Sequence, residues 1–103
     1  MSDETWTIIK YKPKEGCEEE FIGALKRLYK MMRDNKKYDY LNDFIKIDAT
    51  GEYVQIARMP SIDALVDGQV AGLEWLDSID YLLERYPDDS RTEAFSGLKI
   101  PMN

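Results

Sequence analysis

The stretch Leu41–Met59, LNDFIKIDATGEYVQIARM, constrains the fold more than any other part of the chain. Two apolar-alternating runs, Asp43–Ile47 and Tyr53–Arg58, flank the short segment Ala49-Thr50-Gly51-Glu52. Alternation with period two is the pattern of a strand, and Gly51 supplies the positive φ that a tight turn needs, so the stretch reads as a β-hairpin. One arm sets Ile45 and Ile47 against Phe44 and Lys46. The other sets Val54 and Ile56 against Tyr53, Gln55 and Ala57. An isolated hairpin is marginal in water, so other strands and helices must cover it.

Both flanks supply them. Thr5–Lys12, TWTIIKYK, alternates and is rich in β-branched and aromatic residues, as strands are, and Pro13 and Gly16 end it in a turn. From Glu18 to about Arg33 the spacing becomes helical, with Phe21, Ala24, Leu25, Leu28 and Met32 on one stripe. Glu18–Glu20 and the later Lys26, Arg27, Lys30 and Arg33 complement the helix dipole. A polar linker, Asp34–Asp39, leads into the hairpin. After Pro60, Ser61 caps a second helical region over Ile62–Tyr86, which Gly68 and Gly72 are expected to interrupt and Asp77 to restart. Pro87–Ser90 is a loop, and Arg91–Ile100 a last strand with Gly97 as a bulge or close-approach site.

The order is strand, helix, strand, strand, helix, strand, with no repeat and no interdomain linker. Right-handed crossovers turn that order into an α+β, ferredoxin-like βαββαβ fold, a single domain over 1–103 with a four-stranded antiparallel sheet and helices on one face. The other sheet face is then bare. Strands carrying Trp6 and Ile8, Ile9 and Tyr11, Phe44, Ile45 and Ile47 offer apolar groups on both alternations, so a homodimer joined through its sheet faces is expected.

Composition narrows the chemistry. The 103 residues include no histidine, which removes the commonest general base and metal ligand and any Ser-His-Asp or Cys-His nucleophile system. Neither metal nor cofactor is expected. A net charge of −6 gives no basic field for nucleic acid or anionic membrane, and no apolar run approaches the length of a membrane span. The acidic start MSDETWT is unlike a signal peptide, and the lone Cys17 suits a reducing cytoplasm.

The strand–turn–helix TWTIIKYKPKEGCEEEF, the hairpin arm GEYVQIARM, the helix after Pro60 and the closing SGLKI together resemble the dimeric α+β barrel superfamily, nearest its antibiotic biosynthesis monooxygenase-like domains. The resemblance spans Thr5–Pro101 at the level of pattern. It implies a pocket between sheet and helices in each protomer, a dimer through the sheets, and cofactor-independent oxygenation of a small phenol- or quinol-like substrate. A non-catalytic dimer that binds a small ligand or a protein is the alternative, and lyase or isomerase chemistry occurs on the same fold. The haem-degrading branch relies on Asn, Trp and a His that ligates iron. Without His that activity does not transfer, although Trp75 stands roughly where that branch places its Trp.

Three residues are candidates for substrate binding: Trp75, Arg58 and Tyr11. Trp75, with Tyr81 and Tyr86, would wall an aromatic pocket, or else serve as core. Arg58 would hold a substrate oxygen, or else a structural ion pair. Tyr11, near the end of the first strand, would pass protons, or else sit at the rim. Tyr53 and Gln55 are read as facing a ligand or, by preference, a second subunit. Cys17 is read as an unreactive thiol, and the runs Glu18–Glu20 and Asp88-Asp89 as solvated surface.

Overall fold

The computed structural model describes residues 4–34 and 41–102. The elements are β1 (Thr5–Tyr11), α1 (Glu18–Asp34), β2 (Leu41–Ile47), β3 (Glu52–Met59), α2 (Ile62–Ser78) and β4 (Thr92–Leu98), with a 3-10 turn at Asp80–Leu82. The four strands form one antiparallel sheet in the order β2-β3-β1-β4, which is the expected ferredoxin-like topology. The polar linker expected before β2 falls on 35–40, outside the described residues.

The hairpin forms as its pattern dictates, in the register Ile45↔Val54 and Phe44↔Gln55. Gly51 takes φ 74° and donates its N–H to Ile47 O at 2.9 Å, so the reversal needs a residue without a Cβ penalty. In β1 the alternation resolves one way: Thr5, Thr7, Ile9 and Tyr11 point to the helices and Trp6, Ile8 and Lys10 away. Their β3 neighbours Tyr53, Gln55, Ala57 and Met59 share the helix side. Tyr53 and Gln55 therefore face the protomer's own interior rather than a second subunit. Pleating puts residues of equal parity on one side, so a single register fixes all of them.

The core has two parts. The larger gathers Phe21, Ala24 and Leu25 of α1 with Tyr11, Tyr53, Ile79, Leu82 and Leu83. Phe21 is fully buried and meets the Tyr11 and Tyr53 rings at centroid distances of 5.6 and 5.2 Å. A smaller cluster joins Ala57 and Met59 of β3 to Ala64 near the start of α2.

Helix α2 departs from expectation. It begins where Ser61 caps it, with Ser61 Oγ accepting the Ala64 N–H at 3.2 Å. It then runs unbroken through Gly68 and Gly72 to Ser78, and Asp77 starts no new helix. Two glycines cost a helix about 2 kcal/mol relative to alanine, too little to stop one held at both ends. Ala64 is the only buried residue of α2, while Ile62, Val66 and Val70 lie half or more exposed along its outer side. In β4, Gly97 pairs regularly with Trp6, without a bulge, and a Cβ there would meet open space.

On the other sheet face, Trp6, Ile8, Val54, Ile56, Ile45 and Phe95 form an apolar centre bordered by Lys10, Glu52, Arg58 and Glu93. No helix of the described residues covers it. None is long and apolar enough to cross a membrane.

Candidate functional site

Between the sheet and α2 lies a cleft of about 370 Å³. Its existence follows from the middle of α2. Gly68, Ala71 and Gly72 line it, and a Cβ at either glycine would meet nothing within 4 Å, so the helix spans the sheet without filling the gap. The floor is Thr7, Ile9 and Tyr11 of β1, Gln55 and Ala57 of β3, and Thr92, Ala94 and Ser96 of β4. Leu28, Met31 and Met32 of α1 close one side. The volume is at the small end of the range for ligand pockets, and the lining is predominantly apolar, as ligand sites are.

Trp75 and Tyr11 meet in this cleft. Their rings stand edge to face, centroids 5.8 Å apart and planes at 86°. Trp75 Nε1 donates to Ala24 O at 2.9 Å, so the indole also ties α2 to α1. Trp75 thus anchors α2 through its indole nitrogen and also lines the cleft. Arg58 is not brought to them. It alternates with the cleft residues Ala57 and Met59, which sets it on the opposite sheet face beside Trp6 and Leu41. Tyr81 and Tyr86 also lie elsewhere, in a more open hollow with Lys12, Lys14, Glu84 and Arg85, where charges of both signs remain in contact with water.

Two short hydrogen-bonded sets involve polar groups of the cleft wall. Thr7 Oγ1 and Ser96 Oγ share a hydrogen bond of 2.7 Å across β1 and β4. Tyr11 Oη donates to Gln55 Oε1 at 2.6 Å, and Gln55 Nε2 donates to Asn42 Oδ1 at 2.8 Å. Among the described residues, no lysine, arginine, aspartate or glutamate lines the cleft. Burial pushes the Tyr11 phenol well above its ordinary pKa, so it remains a neutral hydroxyl at all physiological pH. The site can therefore desolvate an aromatic skeleton, stack against it and meet one of its oxygens with a neutral dipole. Among the described residues it offers no side chain that would hold a full charge.

The Tyr11–Gln55–Asn42 line was not legible as a unit in the sequence. Its one signal is polar residues at the helix-facing positions of strands, which must find partners once buried.

No protein-family model matches the chain, and no curated protein matches it. Among solved structures, the chain is similar to that of Rv0793 from Mycobacterium tuberculosis, with a TM-score of 0.77 and 17% sequence identity over 96% of this chain and 97% of that one. The whole arrangement of strands and helices is shared, and the likeness at this identity is one of fold.

Proposed function

We propose that this chain is a dimeric α+β barrel protein of the antibiotic biosynthesis monooxygenase-like kind, and that its cleft takes a small, neutral phenol- or quinol-type molecule and oxygenates it without a cofactor. One observation carries the reading: an apolar cleft under α2 that joins an aromatic edge, Trp75, to a buried neutral hydroxyl, Tyr11. In such a reaction a hydroquinone and dioxygen give a hydroxyquinone and water. One oxygen atom enters the ring, the other leaves as water, and the substrate supplies all four electrons. The protein's part is to exclude water and orient the ring. The apolar open face, with Ile45 and Phe95 each more than half exposed, supports a second copy packing against it.

A specific observation favours a second reading, ligand binding without turnover. Oxygenation starts from the substrate anion, and among the described residues no carboxylate or amine lines the cleft to accept the proton. Oxygen uptake with a panel of phenols and hydroquinones separates the two, with product analysis and Trp75 fluorescence in a Trp6→Phe background. Uptake above autoxidation, with a hydroxyquinone product, supports the oxygenase. Quenching without uptake supports the binder, and absence of both removes the cleft from consideration.

A further inference from the structure

Tyr11, Gln55 and Asn42 come from three adjacent strands and are 3%, 5% and 8% exposed, yet they leave one group unused. Asn42 Nδ2 is buried with no hydrogen-bond partner among the described residues. A buried donor without an acceptor is costly, so the observed polarity of the line is not held in place at its Asn42 end. The other end of the line is Tyr11, in the cleft wall.

The alternative state is reached without moving the backbone. Half-turns of the two carboxamides exchange oxygen for nitrogen, because an amide has nearly the same shape both ways. Asn42 Nδ2 then donates to Gln55 Oε1, Gln55 Nε2 donates to Tyr11 Oη, and the phenolic hydrogen is released towards the cleft. Each polarity keeps the two hydrogen bonds along the line, while the long contact of Gln55 Nε2 with Met32 Sδ at 4.0 Å belongs to the observed one. In the observed one, Tyr11 has spent its hydrogen and offers a lone pair. In the reversed one it offers the hydrogen, which gains a third bond only when the cleft holds an acceptor. The unpaired group becomes the Asn42 carbonyl oxygen instead of its amide nitrogen.

We infer that Tyr11–Gln55–Asn42 is a reversible contact for a ligand oxygen, through which the cleft holds the hydroxyl and the carbonyl forms of one aromatic skeleton. This rests on the cleft being the aromatic-ligand site. The contact is neutral in both polarities, since burial holds the Tyr11 hydroxyl protonated. It favours uptake of ligands whose oxygen is neutral, because neither polarity supplies a countercharge.

The test uses three matched probes with the wild-type chain: naphthalene, 1-naphthol and 1-tetralone. Both oxygenated probes are expected to bind roughly fivefold tighter than naphthalene, the worth of one net hydrogen bond. In heteronuclear NMR, 1-tetralone should move the Gln55 side-chain amide resonances further than 1-naphthol does, since only the ketone requires the reversal. Tyr11→Phe should bring all three affinities together at the level of naphthalene. A gain for only one oxygenated probe would mean a fixed polarity and overturn the inference, as would an advantage that survives Tyr11→Phe. Equal binding of all three removes this inference and leaves the aromatic cleft standing. Binding of none removes both. The wild-type comparison decides the matter even where Tyr11→Phe fails to fold.

Discussion

Ile8 sits at the centre of the open sheet face, paired with Ile56 on one side and Phe95 on the other, and is 37% exposed in the protomer. If two copies join through this face, the remaining third of its surface is buried. Full burial of an isoleucine is worth about 1.5–3 kcal/mol, so that third contributes about 0.5–1 kcal/mol per copy and about 1–2 kcal/mol per dimer. Ile8→Ala should therefore raise the dimer Kd about tenfold. Ile8→Asp adds the cost of drying two carboxylates, several kcal/mol each, with a side chain too short to reach the rim. At about 3 kcal/mol for each carboxylate, or about 7 to 8 kcal/mol in total, its Kd should rise by roughly five orders of magnitude. Light scattering on a size-exclusion column, run over a dilution series, reads the mass directly, and circular dichroism checks that each variant is folded. The wild type should show twice the chain mass at micromolar concentration and Ile8→Asp the mass of one chain. A folded Ile8→Asp that remains dimeric would refute the placement of the interface. A wild type that is monomeric at every concentration would refute the dimer.

Trp75→Phe deletes the indole bond to Ala24 O, so it should lower Tm by about 4–8 °C for the ~1 kcal/mol lost and also weaken aromatic binding; an unchanged Tm would mean that the bond does not anchor α2. Phe21→Ala empties a fully buried site between two tyrosine rings and should cost about 3–5 kcal/mol by urea unfolding, with a loss below ~1 kcal/mol contradicting its place in the core. The Tyr86 hydroxyl donates to Glu52 Oε2 at 2.7 Å and holds that carboxyl below the usual glutamate range. Its contribution to stability is complete above the ordinary glutamate pKa of about 4.3 and is lost as pH falls through the lowered value, so Tyr86→Phe should shift acid unfolding to higher pH, and an unmoved transition argues against the linkage.

Period and parity carried much of the fold into the sequence. The hairpin arms, the α1 stripe Phe21–Met32 and the order of elements need only local spacing, and the structure reproduces them. What spacing left open was which alternation of β1 turns inward, because Trp6 and Ile8 are as apolar as Ile9 and Tyr11. Long-range pairing decides it: Tyr11 faces Tyr53 and Phe21, and Trp6 is left outside. The same parity separates Arg58 from Trp75, a fact that follows from strand residues 57 and 59 lying inward but is invisible without knowing so. Gly68 and Gly72 misled for a related reason. Propensity marks them as weak helix, whereas packing at Ala64 and Trp75 fixes the helix on either side of them.

That arrangement makes α2 a span fastened at two points. At Ala64 it is packed against Ala57 and Met59, and at Trp75 it is hydrogen-bonded to α1. Between them, backbone hydrogen bonds hold the chain while the cleft lies beneath. The free energy needed to open a segment falls where buried contacts are few, so the turns around Gly68 and Gly72 should exchange their amide hydrogens sooner than the buried face of α1. A ligand seated below would give those turns the contacts they lack, and its dissociation would then be timed by the rate at which this one span lifts. Slower exchange across 66–73 on binding, with α1 unchanged, would be the signature.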